Sequence, residues 1–147
     1  MDEDKVELLL VEDNPNDVEL TLHALKKSHL TNKIQVVRDG EEALNFLFGT
    51  KDGSSGGRVN SPRVILLDLK LPKVDGMEVL KRLKNDPTTK SIPVVVLTSS
   101  NEERDILETY ALGVNSYIVK PVDFAKFVEA MRTLGMYWLM LNRPLQD

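Results

Sequence analysis

The sequence predicts an α/β protein in which helices cover both faces of a parallel β-sheet. Three observations support this prediction. Short, continuously apolar runs recur along the 147-residue chain, as is typical of strands buried on both faces. Segments with the apolar spacing of helices separate these runs. Residues that favour helix starts lie between most runs and the segments that follow. Strand and helix therefore alternate, which indicates right-handed crossovers.

The first strand is predicted at 8–11 and leads into a helix. Asn14 followed by Pro15 is typical of a helix start, because asparagine caps free N–H groups and proline fits the first turn. This helix has an apolar stripe of Val18, Leu22 and Leu25.

The second strand is predicted at 34–37, and Asp39 with Glu42 three positions later predicts a capped helix after it. The stripe of this helix is Ala43, Leu44, Leu47 and Phe48. The low-complexity stretch 49–62 predicts a flexible loop insertion. A linker between two domains is the alternative. A single domain over 1–147 is favoured, because neither half has enough strands to close its own core.

The remaining strands are predicted at 64–67, 94–97 and 117–119. Cap residues followed by glutamate predict the next two helix starts, at Asp75 with Glu78 and at Ser100 with Glu103. The predicted stripes are Met77, Leu80 and Leu83 for the third helix, and Ile106, Tyr110 and Ala111 for the fourth.

A long C-terminal helix is predicted over 123–142, with Asp123 as its cap. One side of it has Phe124, Phe127, Val128, Met131 and Trp138. The apolar residues between 131 and 141 are too numerous to lie on one face of a helix. They indicate either a wide buried stripe or an exposed patch for kinase docking or for a possible homodimer.

The composition excludes several classes of protein. A net charge of −4 argues against direct nucleic-acid binding, and the absence of cysteine excludes disulfides and thiolate metal sites. The acidic N-terminus has no apolar segment of the signal-peptide kind, and no apolar run approaches the ~20 residues that span a bilayer. The expected location is cytoplasmic.

Polar side chains follow four of the predicted strands. Glu12 and Asp13 follow the first, Asp68 ends the third, Thr98 follows the fourth and Lys120 follows the fifth. If the strand order is 2-1-3-4-5, as in flavodoxin-like sheets, these side chains converge on one edge. That edge is where open parallel sheets bind ligands.

Three carboxylates at one edge repel one another, and a bound Mg²⁺ would offset that repulsion. An ionised carboxylate such as Asp68 can attack phosphorus and form an aspartyl phosphate. Mg²⁺ and Lys120 would neutralise charge, and Thr98 could donate a hydrogen bond to a phosphoryl oxygen. Each residue alone also has an ordinary explanation as a helix cap, a turn or an acid at a helix N-terminus. Their joint occurrence at strand ends favours one site.

These motifs together resemble the response-regulator receiver family of the CheY-like superfamily, over nearly the whole chain. The motifs are Glu12-Asp13-Asn14, Asp68-Leu69-Lys70-Leu71-Pro72 with Asp75-Gly76, Thr98-Ser99 and Lys120-Pro121. The resemblance implies a flavodoxin-like (βα)5 three-layer sandwich with strand order 2-1-3-4-5.

The resemblance also implies a role for each site residue. Asp68 would be the phosphoacceptor, Lys120 the phosphate-binding lysine, Thr98 the switch hydroxyl and Tyr117 the switch aromatic residue. Glu12, Asp13, Asp68 and the main-chain carbonyl of Lys70 would bind Mg²⁺. A cis peptide bond would precede Pro121, and Gly76 would make a tight turn. The long side chain of Lys70 could either slow or assist the access of water.

The resemblance implies a signalling protein. A sensor histidine kinase would phosphorylate Asp68, and the changed surface around the fourth helix, fifth strand and fifth helix would bind a protein partner. The chain would catalyse only its own phosphorylation and dephosphorylation, and would not be an enzyme on an external substrate. The loop at 49–62, without an effector domain after the fifth helix, is similar to small stand-alone regulators of the cyanobacterial-phytochrome type.

Three alternatives are weighed against this interpretation. A phosphatase of the haloacid-dehalogenase kind needs a second aspartate two positions after Asp68, where this chain has Lys70. A nucleotide-binding module needs a glycine-rich phosphate loop, and the sequence has none after a strand. A degenerate receiver that only scaffolds is disfavoured by the intact set of acids.

Overall fold

The computed structural model describes residues 6–27, 33–49, 62–99 and 103–133. Of residues 103–105 it describes the backbone alone. Strand and helix alternate five times in these residues, as predicted. The elements are β1 (Leu8–Val11), α1 (Pro15–Lys27), β2 (Ile34–Val37), α2 (Gly40–Phe48), β3 (Val64–Asp68), α3 (Gly76–Asn85), β4 (Val94–Thr98), α4 (Glu103–Ala111), β5 (Ser116–Val119) and α5 (Phe124–Thr133).

The five strands form one parallel sheet in the order β2-β1-β3-β4-β5. The predicted fold class and strand order are therefore confirmed. β1 pairs with β2 on one side and with β3 on the other, in register from Leu8 to Val11. The carboxyl ends of β1 and β3 consequently lie side by side, at the point where the strand order reverses. This is the position at which such sheets bind ligands.

The sheet separates two apolar cores, because successive residues of a strand point to opposite faces. Leu8 and Leu10 pack with α1 and α5, whereas Leu9 and Val11 pack with α2 and α3. All residues of β1, β3 and β4 are buried. The continuous apolar runs therefore report burial on both faces, as expected for a sheet covered by helices.

Three strands are one residue longer than their apolar runs. β3 extends to Asp68, β4 extends to Thr98, and β5 begins at Ser116. Backbone pairing continues through these polar residues, which an apolar pattern cannot show. Asp68 is therefore the last residue of a buried strand, as predicted, and Thr98, which was predicted to follow its strand, is likewise the last residue of one.

Three of the predicted helix caps are present. Asn14 Oδ1 accepts a hydrogen bond from the Asp17 N–H (3.0 Å), and Asp39 Oδ1 accepts one from the Glu42 N–H (2.7 Å). Asp123 Oδ1 accepts from the third N–H of α5 (2.8 Å). These side chains satisfy N–H groups that a helix leaves unpaired in its first turn.

The predicted side-chain cap at Asp75 is wrong. Asp75 precedes α3 with extended backbone, but its side chain caps no N–H of that helix. The Gly76 N–H instead donates to the Leu69 carbonyl (2.8 Å), so the loop itself pairs part of the helix start. Asp75 contributes its main-chain carbonyl, which accepts from the Val79 N–H (3.0 Å).

The predicted apolar stripe of α4 is also wrong. Ile106 is half-buried, but Tyr110 and Ala111 are exposed. The fully buried residue of the described part of α4 is Thr109, whose hydroxyl donates to the Ile106 carbonyl (2.9 Å). Because this hydroxyl is paired within the helix, a threonine can occupy an inward position that the pattern assigned to an apolar residue. Phe124, which was placed on the apolar side of α5, is likewise 43% exposed.

Several predictions fall on residues outside the described ranges. They are residues 50–61 of the loop at 49–62, the cap at Ser100 and the C-terminal helix beyond Thr133, with Trp138 and the homodimer patch. These predictions, and that of a single domain, therefore remain predictions. Among the described helices, none combines the length and the apolar character needed to cross a membrane.

Candidate functional site

Three carboxylates meet at the carboxyl edge of the sheet. Glu12 and Asp13 follow β1, and Asp68 ends β3, so adjacent parallel strands bring them together. One oxygen from each of the three lies within 4.8 Å of the others. Glu12 is fully buried and Asp68 is 5% exposed, whereas Asp13 is open to solvent. The cluster is therefore anchored in the core and accessible from one side.

Lys120 reaches into this cluster from the end of β5. Its Nζ lies 2.6 Å from Glu12 Oε1 and 3.2 Å from Asp68 Oδ2. The carboxylate of Asp17, which lies outside this cluster in the first turn of α1, is 2.9 Å from the same nitrogen. The main-chain N–H of Lys120 donates to the Thr98 carbonyl (2.8 Å), which fixes the residue against β4. The peptide bond between Lys120 and Pro121 is cis, as the resemblance implied.

The two oxygens of Glu12 differ in their contacts, because Oε1 accepts no hydrogen bond of good geometry from the described residues. Oε2 accepts a hydrogen bond from the Asn14 N–H (3.2 Å), and Oε1 forms the ion pair with Lys120. Burial raises the pKa of the Glu12 carboxyl to about 7, with the charge of Asp68 acting in the same direction and Lys120 acting against it. A buried acid of this kind favours a positive partner, whether an ammonium group or a metal ion.

Lys120 shows the opposite balance. Burial lowers the pKa of its ammonium, but its close contacts with the carboxylates of Glu12 and Asp17, together with the charge of Asp68, outweigh burial. The pKa is therefore raised above the ordinary 10.5. Only 12% of this side chain is exposed, so its charge is held close to the acids.

The backbone around Asp68 is tightly packed. A Cβ atom at Gly76 would lie 2.2 Å from the Asp68 carbonyl oxygen, a distance that side chains do not tolerate. Glycine is thus required where α3 begins beneath the end of β3, which agrees with the tight turn expected there. On the carboxylate, Oδ1 accepts a long hydrogen bond from the Lys70 N–H (3.4 Å).

The donor set fits a hard divalent cation. Glu12, Asp13 and Asp68 offer only carboxylate oxygens, which are the ligands that Mg²⁺ and related ions prefer. The three negative charges exceed the single charge of Lys120, so a further cation would lower their repulsion. The cluster could therefore hold a divalent metal ion. A share in binding for the Lys70 carbonyl remains a prediction.

Thr98 and Tyr117 lie in the neighbouring strands β4 and β5. Thr98 is fully buried at the end of β4, next to Lys120 through the main-chain hydrogen bond. Tyr117 is half-buried in β5, paired with Val96, and packs against the core on the α2–α3 side. Their positions are compatible with the switch roles that the resemblance implied, which remain predictions.

Asp17 is a partner of Lys120 that sequence reasoning missed. It lies 103 residues from Lys120 along the chain, and an acid in the first turn of a helix is ordinary. The available signal was its spacing from Asn14, because a residue one turn after Glu12-Asp13-Asn14 lies above the same sheet edge. That signal alone does not identify a lysine as its partner.

Comparisons with known proteins identify the family. A sequence model described as the response regulator receiver domain matches residues 8–132. The probable methanogenesis regulatory protein FilR2 of Methanothrix harundinacea is 42% identical over 141 residues, which cover 96% of this chain and 88% of that protein. The response regulator Rcp1 of a Synechocystis species is 41% identical over 134 residues, which cover 90% of this chain and 88% of that protein.

Solved structures give the same result. The bacteriophytochrome response regulator RtBRR has a TM-score of 0.82 at 52% identity, with 94% of this chain and 82% of that chain covered. The Mn²⁺-bound form of Rcp1 has a TM-score of 0.72 at 37% identity, with 95% and 98% covered. The phosphorylated cyanobacterial phytochrome response regulator RcpA has a TM-score of 0.73 at 41% identity, with 92% and 94% covered.

The predicted likeness to regulators of the phytochrome type is confirmed by these matches. Together with the parallel sheet in the order 2-1-3-4-5 and the acidic cluster beside Lys120, they leave one conclusion. The chain belongs to the response-regulator receiver family of two-component signalling.

Proposed function

We propose that this receiver domain accepts a phosphoryl group on Asp68 from a sensor histidine kinase, with Mg²⁺ as its cofactor, and controls a protein partner by changing shape. One observation supports this most strongly. The Asp68 carboxylate lies at the open edge of the sheet, 3.2 Å from Lys120 Nζ and beside two further acids. An acceptor, a metal-binding set and a phosphate-binding ammonium therefore occupy one site.

The proposed ligands of Mg²⁺ are Glu12, Asp13, Asp68 and the main-chain carbonyl of Lys70. When bound, the ion would supply positive charge that offsets both the acids and the phosphoryl oxygens. Glu12 is fully buried and held by the Asn14 N–H, so its carboxylate is a fixed ligand. Asp13 is exposed and leaves the site open towards solvent.

In the proposed transfer, a carboxylate oxygen of Asp68 attacks phosphorus. The new O–P bond forms as the P–N bond to the kinase histidine breaks, and the bonding electron pair returns to the histidine nitrogen. Lys120 is already within hydrogen-bond distance of Asp68 Oδ2, so its ammonium can neutralise the incoming phosphoryl oxygens without a large movement. Catalysis then consists mainly of positioning and charge neutralisation.

The proposed output is a change of surface. The Thr98 hydroxyl would move towards the phosphoryl group and Tyr117 would follow, which alters the surface formed by α4, β5 and α5. Exposed apolar side chains on α4 support a protein partner at that surface, since Leu107 is 62% and Tyr110 is 47% exposed.

The names of similar proteins support a phytochrome-like sensor kinase as the donor, because RtBRR and RcpA are response regulators of phytochromes. We propose that the chain catalyses only its own phosphorylation and dephosphorylation. It should therefore give no sustained turnover of p-nitrophenyl phosphate. Sustained turnover would favour a phosphatase.

Intact-mass measurement after incubation with acetyl phosphate and Mg²⁺ tests the proposal. We expect one added phosphoryl group, which is absent in Asp68→Asn and absent when EDTA removes the metal. Asp75→Asn is the matched control, because Asp75 is exposed, lies outside the cluster and its side chain does not cap α3. Equal phosphorylation of Asp68→Asn and of the wild type would contradict Asp68 as the acceptor.

A further inference from the structure

Lys120 has one more carboxylate partner than the proposed chemistry needs. A lysine ammonium donates three hydrogen bonds, and here three carboxylates surround it, those of Glu12, Asp17 and Asp68. Glu12 and Asp68 belong to the set that can hold a metal, whereas Asp17 does not. Asp17 comes from α1, and its side chain is 30% exposed. Asp17 therefore binds the Lys120 ammonium without belonging to the metal-binding set.

A metal ion and Lys120 compete for the same acid. Glu12 Oε2 is engaged by the Asn14 N–H, and Oε1 is in contact with Lys120 at 2.6 Å. A cation that binds Glu12 through Oε1 must displace the ammonium from it. With 12% exposure, the ammonium cannot exchange that partner freely for water, so losing it costs free energy unless other partners remain.

We propose that Asp17 is a positioning residue that retains Lys120 when a divalent cation takes Glu12. This inference rests on the proposed function, since it assigns to Asp17 the task of making the metal-binding set available. With Asp17 in place, the ammonium leaves Glu12 and keeps two carboxylate partners, Asp17 and Asp68. Without Asp17, it keeps only Asp68, so it stays closer to Glu12 and the metal binds less tightly.

The first test is a calorimetric titration of the unphosphorylated protein with Mg²⁺. We expect Asp17→Asn to weaken Mg²⁺ binding about three- to tenfold, the range of one charge-assisted hydrogen bond at a partly exposed site. Glu19→Gln is the matched control: it removes the same charge from an exposed position of α1, and Glu19 is not an ion-pair partner of Lys120. This control should change the affinity less than about twofold.

A double-mutant cycle separates positioning from plain loss of charge. In a Lys120→Met background, Asp17→Asn should weaken Mg²⁺ binding no more than Glu19→Gln does, because there is no ammonium left to position. An equal effect of Asp17→Asn with and without Lys120 would overturn the proposal. So would an Asp17→Asn protein that binds Mg²⁺ as the wild type does.

A second measurement needs neither the Lys120 variant nor phosphorylation. Lysine ammonium protons exchange with water at a rate that nitrogen-15 NMR can follow. We expect faster exchange at Lys120 in Asp17→Asn than in the wild type without metal, and a further increase on adding Mg²⁺. Unchanged exchange would overturn the inference. Failure of the proposed function would appear separately, as wild-type protein that takes no phosphoryl group from acetyl phosphate.

Discussion

The two edges of the sheet each hold a lysine that is partly withdrawn from solvent, but the two lysines have opposite partners. At the carboxyl edge, Lys120 contacts three carboxylates, and their hydrogen bonds and charge raise its pKa despite burial. At the amino edge, Lys84 at the end of α3 donates to the carbonyls of Lys90 (3.1 Å) and Ile92 (3.0 Å). Burial lowers the pKa of Lys84.

The difference shows where the molecule can respond to a ligand. The carbonyl partners of Lys84 are neutral dipoles of the backbone, so this lysine joins a helix end to a loop and has no excess charge to offset. The partners of Lys120 are three carboxylates against one ammonium. An added cation or phosphoryl group therefore changes the net charge of the site and the electrostatic energy of its side chains. The amino edge is therefore structural, and the carboxyl edge is responsive.

The largest expected effect comes from glycines at the two edges. A Cβ at Gly76 would lie 2.2 Å from the Asp68 carbonyl oxygen, whereas at Gly113 the nearest atom, in Lys84, is 3.7 Å away. We expect Gly76→Ala to lower the free energy of unfolding by about 3 kcal/mol through steric conflict. Gly113→Ala should lower it by about 1 kcal/mol, because only its positive φ of 99° is unfavourable for alanine. Urea unfolding checks both, and equal losses would contradict a steric difference between the edges.

The second prediction compares the lysines directly. Lys120→Met should lower the free energy of unfolding by about 2 kcal/mol in EDTA, because it leaves Glu12 and Asp68 buried without a positive partner. Lys84→Met should lower it by about 1 kcal/mol through two lost hydrogen bonds.

Mg²⁺ should distinguish these two variants. The ion replaces the missing charge at the carboxyl edge, so it should stabilise Lys120→Met more than it stabilises the wild type. It should stabilise Lys84→Met only as much as the wild type. Urea unfolding with Mg²⁺ and with EDTA measures this, and an equal response of both variants would remove the distinction between the edges.

The smallest expected effect is a pH dependence from Lys84. Because burial lowers its pKa in the folded chain, the unfolded chain binds more protons as the pH approaches the ordinary value of 10.5 from below. The free energy of unfolding of the wild type should therefore rise relative to that of Lys84→Met over the pH interval just below 10.5. A relative decrease over this interval would mean that Lys84 is stabilised as a charged group.

The fold was largely predictable, because each strand contains a short run of mainly apolar residues and each of the described caps except Asp75 acts locally. The order of the strands came from analogy with a known type of sheet, and pairing then brought Glu12, Asp68 and Lys120 together. Asp17 was not predictable in this way, because its partner is distant in sequence and its position in a helix start has an ordinary explanation.

The prediction was weakest for α4. Apolar spacing assumes that the inner face of a helix is apolar, but here Thr109 is buried and Leu107 and Tyr110 are exposed. Apolar residues have the same sequence spacing whether they lie on the buried face or on the exposed face of a helix. The spacing therefore does not show which face is buried. The same holds for Phe124 at the start of α5, which is 43% exposed.

The hydrogen bond from the Lys120 N–H to the Thr98 carbonyl has a mechanical consequence. It ties together the two residues that would contact a phosphoryl group from β4 and from β5, through their main chains and not their side chains. A pull on the Thr98 main chain is therefore transmitted to the peptide that carries the ammonium. Phosphorylation would therefore displace the ends of β4 and β5 together.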